Sequence, residues 1–243
     1  MRLTSIIESE LSLHPDFRQP MRRMGLFLLL LALVQFIAWL APTIPNSKGI
    51  PHYLPLHQIL ETLSILVSLM VFALGWNSRS TRLAGNIVLI ASIFFSVGVL
   101  DFLHTLSYGG MPNFITPNDA QKHLNFWLAA RLLASLGLLL IAIRPWRPLG
   151  SPHTRFFIFG FLSMAVVALT LIVILDQPLL PDTFIPGQGL TPFKKNTEYL
   201  VILIHLVTAA ILWRKMHIPQ NFNVVLLFGA VAALAMSEFY FTL

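Results

Sequence analysis

The sequence contains no cysteine, which excludes disulfides, thiolate metal sites and thiol nucleophiles. It is also poor in charge: Asp, Glu, Lys and Arg make up 11% of its 243 residues, against 56% hydrophobic. It has no phosphate-binding glycine loop, no internal repeat, no long polar linker and no stretch polar enough for a separate soluble domain. What remains is a chain of mean hydropathy +0.76, the composition of an integral membrane protein.

Seven apolar runs approach or reach the roughly 20 residues that a helix needs to cross a bilayer: Met24–Ala41, Pro55–Trp76, Leu83–Leu103, Leu124–Ile143, Phe156–Leu175, Tyr199–Trp213 and Val224–Leu243. The sixth is short and is extended if it starts nearer Phe193. Transmembrane strands would alternate apolar and polar residues over about ten positions, whereas these runs are continuously apolar and rich in Leu, Ala and Ile. The expected fold is an all-α polytopic bundle of seven spans. Ahead of it, Ile6, Ile7, Leu11 and Leu13 are spaced for a short amphipathic helix that Pro15 would stop. The chain is therefore divided into a cytoplasmic segment over 1–20 and a membrane-embedded domain over 21–243. Arg22 and Arg23 before an apolar run also suit a signal peptide, but the run is too long and further spans follow.

The net charge of +6 does not point to nucleic acid, because the basic residues form neither a patch nor an arm. They alternate by side. With the N terminus inside, Arg2, Arg18, Arg22, Arg23, Arg79, Arg82, Arg144, Arg147, Arg155, Arg214 and Lys215 fall on inner segments, and Lys48, Lys122, Lys194 and Lys195 on outer ones. That bias is the positive-inside pattern and gives a multi-pass protein with a cytoplasmic N terminus. Trp127, Trp146 and Trp213 suit interface anchors.

Two outer connections are long, HTLSYGGMPNFITPNDAQKH and QPLLPDTFIPGQGLTPFKKN. Long loops between packed helices usually bind or cover something. Ionisable residues also gather towards the outer end of the spans. His57 and Glu61 lie near the outer entry of span two, Asp101 and His104 at the outer exit of span three, and Arg131 a few residues into span four. His205 follows Glu198 in span six, and Glu238 is near the outer end of span seven. At about 1.5 Å per residue, Glu61, Arg131 and His205 sit roughly 10 Å below the outer boundary. A central charge costs about 2.5 to 3.5 kcal/mol on insertion scales, so such residues face the bundle interior and pair. His57 and Glu61 are spaced i,i+4, and Asp101 and His104 i,i+3, so each pair occupies one helix face. Such a layer has a purely structural reading too, with Arg131 neutralising Glu61 or Asp101 across helices. Taken singly, His205 reads as a core histidine, and His123 and His153 as loop residues.

At these residues the chain resembles a known family. LPLHQILETLSI (Leu54 to Ile65), DFLHTLSYGGMPNF (Asp101 to Phe114), FWLAARLLAS (Phe126 to Ser135), PGQGLTPFKKNTEYL (Pro186 to Leu200) and SEFYFTL (Ser237 to Leu243) are similar, in order and spacing, to the third class of bacterial membrane-associated sensor domains, from Met24 onward. The resemblance implies a sensory input module, usually coupled to a diguanylate cyclase, a histidine kinase or a related cytoplasmic output, with no enzymatic activity of its own. It marks His57, Glu61, Asp101, His104, Tyr108, Met111, Arg131, Thr191, Lys194, Glu198 and Glu238 as the recurrent polar positions, and all of these except Met111 and Thr191 form the candidate ligand-binding set. Two positions depart from the family pattern: Gly109 stands where a lysine is frequent, and Ala134 where an acid is. The resemblance also implies an eighth helix after SEFYFTL, so that the domain is C-terminally incomplete and a groove is expected beside spans one and seven.

The expectation is a sensor whose polar pocket takes a small ligand from the periplasmic side. The sequence requires no cofactor. Its partners are the lipid bilayer, that ligand, a possible second copy in a homodimer, and an output domain that is separate or missing; nucleic acid is not among them. A metal- or haem-binding protein is the strongest rival, with His57, Glu61, Asp101 and His104 as the metal set or His57, His104 or His205 on a haem iron, although Arg131 in the same layer opposes a cation. A transporter would show interrupted helices and internal symmetry. An intramembrane enzyme would need a nucleophile beside a base, and Ser237 next to Glu238 or Thr105 next to His104 is too common a pairing to carry that.

Overall fold

The computed structural model describes residues 13–40, 53–78, 85–151 and 153–242. These form seven helices: α1 (Pro15–Leu40), α2 (Tyr53–Asn77), α3 (Gly85–Leu106), α4 (Ala120–Ile143), α5 (Thr154–Leu175), α6 (Pro192–Lys215) and α7 (Val224–Thr242). Each covers all but at most two residues of one of the seven apolar runs. Six are long and apolar enough to cross a membrane, and α7 is shorter, with its apolar stretch over Val224–Tyr240. The interfacial helix expected over the first residues lies almost wholly outside the described residues. Pro15 begins a helix instead of ending one. A proline at the first helical position loses nothing, since that N–H has no intrahelical acceptor, and α1 runs on through Pro20 to Leu40.

The chain separates into two units. A central unit spans Ile44–Leu200, and a flanking unit combines Met1–Thr43 with Val201–Leu243. In the central unit α3 is the core. It packs against α2, α4 and α5 and buries Leu100, Val97, Ile93 and Ala91. Small residues allow this proximity, as is usual where lipid supplies no hydrophobic contrast between helices. A Cβ on Gly137 of α4 would meet Ile93 at 2.6 Å, and one on Gly75 of α2 would meet Ala91 at 2.9 Å. At one end of this unit Phe72, Trp76, Phe95 and Phe159 interlock, with ring centroids 4.8 to 5.7 Å apart, and the Arg155 guanidinium lies 4.4 Å over Trp76. There too the Gly85 N–H donates to the Arg147 carbonyl at 2.8 Å and Asn86 to the Ile141 carbonyl at 3.3 Å. This end carries Arg144, Arg147 and Arg155.

The opposite end carries both long loops, and both are built onto the start of α4. In the loop over 107–119, the Lys122 ammonium donates to the carbonyls of Phe114 (2.6 Å) and Thr116 (3.0 Å) and to Asn118 Oδ1 (3.2 Å). Asn118 in turn donates to the carbonyls of Leu106 and Pro112, each at 3.0 Å, and Asp119 caps α4 by accepting from the Lys122 N–H at 2.7 Å. The second loop runs through a 3-10 turn, Gln177–Leu179, into an antiparallel hairpin that pairs Phe184 with Leu190 and Ile185 with Gly189. Gly187 and Gly189, in and beside its turn, have φ of 81° and 88°, in the left-handed region that glycine enters without strain. Gln121 holds this hairpin: its amide donates to Asp182 Oδ1 at 2.8 Å and its oxygen accepts from the Thr183 N–H at 3.2 Å.

In the flanking unit α1 packs against α7, where Gly229 admits the Met24 side chain, and Gln35 donates to the Met236 carbonyl at 3.5 Å. An apolar groove of about 690 Å³ runs along α1, α7 and the flanking-unit part of α6, lined by Phe36, Trp39, Leu206, Phe228 and Phe239 among others. A groove was expected at this place.

Candidate functional site

The polar residues of α2, α3 and α4 meet under the two loops. Asp101 is buried, at 1% exposure, and its Oδ1 accepts from Arg131 Nη2 at 2.6 Å. Its Oδ2 is buried without a hydrogen-bond partner among the described residues. Glu61 is half-buried and close enough to feel both the Asp101 and Arg131 charges, yet it takes part in none of the ion pairs or hydrogen bonds among the described residues. Of the two carboxylates open to Arg131 in the sequence, the fold gives it Asp101.

Beside this pair lies a cluster of rings. His57 and His104 stand edge to face with centroids 5.5 Å apart. The Tyr108 ring is tilted by 39° against that of His57, with centroids 4.2 Å apart. His123 lies 5.5 Å from His104 and 4.9 Å from Tyr108. One ligand-capable atom from each of His57, Glu61 and His104 lies within 4.8 Å of the other two. His104 Nδ1 is 2.8 Å from the His123 carbonyl oxygen. A carbonyl only accepts, so this nitrogen holds the proton and the lone pair resides on Nε2.

A second ion pair adjoins the first through Trp127. Lys194 and Glu198, one turn apart on α6 and both buried, pair at 2.5 Å. The Lys194 ammonium lies 5.0 Å from the Trp127 ring centroid and the Arg131 guanidinium 6.0 Å from it. Trp127 therefore lies within reach of two cations of the polar layer. Thr191 starts α6 on the same side, donating to the Asp182 carbonyl at 2.6 Å and accepting from the Lys194 N–H at 3.3 Å. Met111 belongs to the first loop, its N–H donating to the Tyr108 carbonyl at 3.1 Å. Gly109 is exposed with open space about it, and Ala134 is buried.

Of the expected site residues, His57, Glu61, Asp101, His104, Tyr108, Arg131, Lys194 and Glu198 all belong to the central unit. His205 and Glu238 belong to the flanking unit, where each is buried, at 2% and 3% exposure. Two participants were missed. His123, read as a loop residue, sits in the first turn of α4, and Lys122, read as one of the outer basic residues, is buried at 1% exposure. A signal for the first existed: His123, Trp127 and Arg131 recur every four residues, one face of a helix, provided that α4 starts before Leu124.

The helices, their exposed apolar surfaces and this polar layer define a multi-pass α-helical membrane protein. A family model described as a membrane-associated sensor domain, MASE3, matches residues 49–243, which takes in α2 to α7. The chain belongs to the MASE3 family of membrane-associated sensor domains, and its role is that of a membrane sensory domain. The resemblance expected from Met24 onward thus begins further along, after α1. Searches of curated proteins and of solved structures return no match.

Proposed function

We propose that the polar end of the central unit is the input pocket of a sensor in a bacterial inner membrane, taking a small ligand from the periplasmic side and passing the signal by a shift in helix packing to a cytoplasmic output domain. The observation that carries this reading is the convergence of His57, Glu61, Asp101, His104, Tyr108, His123 and Arg131 from three helices under two loops that are themselves bonded to α4. Buried and half-buried charge in a membrane protein is costly and concentrates where a function uses it. A layer built for packing alone has no need of Glu61, which pairs with nothing among the described residues. α3 contributes Asp101 and His104 and also forms the core of the unit, so a ligand that draws α2 and α3 together acts on the packing of α4 and α5 as well; it selects between two arrangements to the extent that it binds them differently.

The absence of cysteine makes the test direct. His57→Cys in the otherwise cysteine-free chain is expected to react in spheroplasts with a small, membrane-impermeant thiosulfonate added outside, and to be shielded from a bulky polymer-linked maleimide by the loops. A His57→Cys protein that is folded but inert to the small reagent from outside, and reactive from inside, would overturn the reading.

A further inference from the structure

We propose that His57, Glu61 and His104 bind one borderline divalent transition-metal ion of the zinc, cobalt and iron(II) kind, and that this ion is the ligand of the pocket or its immediate receptor. The inference rests on the pocket reading above and names the chemistry of its occupant. Three observations carry it.

The first is convergence. His57 and Glu61 are one helical turn apart on α2, His104 faces them from α3, and an atom able to ligate on each lies within 4.8 Å of the other two. Around an ion with bonds of about 2.0 to 2.2 Å, tetrahedral ligand atoms are roughly 3.4 Å apart, so closure asks for a movement of about an ångström between two helices. The second is the orientation of His104. Its Nδ1–H donates to the His123 carbonyl at 2.8 Å, the outer-shell bond by which ligating histidines are held in one tautomer with the other nitrogen free to bind metal. No other hydrogen bond to His104 occurs among the described residues.

The third is charge. Arg131 argued against a cation as long as its partner was open, but it is bound to Asp101 at 2.6 Å, and Lys194 is bound to Glu198. Those charges are compensated in pairs and leave Glu61 as the acid that faces the two imidazoles. Asp101, a candidate ligand in the sequence, is not part of this group; its Oδ1 is bound to Arg131. Two imidazoles and one carboxylate select borderline metals; calcium and magnesium take oxygen ligands instead. Three protein ligands also leave a coordination position open, as in zinc sites that admit water or a small molecule.

The full chain, purified in detergent and stripped with a chelator, is titrated with Co²⁺ and then with Zn²⁺. The expected result is one Co²⁺ per chain with ligand-field absorption of a nitrogen and oxygen site, bleached by Zn²⁺, and affinity at least about 100-fold weaker in His104→Ala and in the near-isosteric Glu61→Gln, with His153→Ala unchanged. Folded wild-type protein that takes up neither metal stoichiometrically, or both variants binding as tightly as wild type, overturns the proposal. If neither variant folds, X-ray absorption of the zinc-loaded wild type decides: two imidazoles support the site, and none or more than two sinks it. The labelling of His57→Cys from outside is independent of metal. Labelling without metal binding leaves the pocket standing and removes the ion, whereas metal binding without labelling removes periplasmic access and leaves the ion.

Discussion

Arg131 holds the Asp101 carboxylate at a depth where an uncompensated charge is expensive. Breaking a buried ion pair by removing one partner typically costs about 3 to 5 kcal/mol, while replacing both with apolar side chains of similar volume is close to neutral. Arg131→Ala is therefore expected to lower the denaturation midpoint of the detergent-solubilised protein sharply, since Asp101 is 1% exposed and its Oδ2 has no hydrogen bond among the described residues. The double replacement Asp101→Leu with Arg131→Met is expected to recover most of that loss. Equal stability of Arg131→Ala and wild type in a thermal or SDS titration would mean that the pair contributes nothing. These two residues were legible because a charge in an apolar helix needs a reason. His123 and Lys122 were not, because in the sequence they stand in a polar stretch where such residues are ordinary, and only the early start of α4 puts them inside.

Among the elements, α4 organises the polar end. Its face carries His123, Trp127 and Arg131, and its cap Asp119 and first-turn residues Gln121 and Lys122 are where the loops attach. Gln121 receives the N–H groups of Thr183 and Phe184, at 3.2 and 3.4 Å, and donates to Asp182. Each such bond contributes about 0.5 to 1.5 kcal/mol, and their loss acts locally because a hairpin opens without unfolding the helices beneath it. Gln121→Ala is expected to speed amide exchange over residues 181–185 while leaving that of α3 and α4 unchanged, as hydrogen-exchange mass spectrometry would read; unaltered exchange at the hairpin would show that it is held by other contacts. The helices themselves were readable from unbroken hydropathy and the loops from their length. The hairpin was not, because its register depends on Gln121 and Asp182, sixty-one positions apart in sequence.

For the whole molecule, the basic residues set the expected orientation, with the loop over 107–119 outside and the connection between α4 and α5 inside. Gly109 and Gly150 are both exposed with open space around them, so Gly109→Cys and Gly150→Cys are suitable probes in this cysteine-free chain. The former is expected to label with an impermeant maleimide from the periplasmic side and the latter after permeabilisation only; labelling of both from one side would break the topology. Membrane insertion, helical class, the positions of the spans and the family were all determined by the sequence itself, because hydropathy, helical period and ordered motifs are properties of neighbouring residues. The tertiary structure alone decided that Arg131 takes Asp101 and leaves Glu61 facing two histidines, that Lys194 and Glu198 pair beside Trp127, and that His123 fixes the tautomer of His104. Those outcomes depend on how far each helix is rotated and how closely glycines let it approach its neighbour, and no single helix encodes the rotation of another.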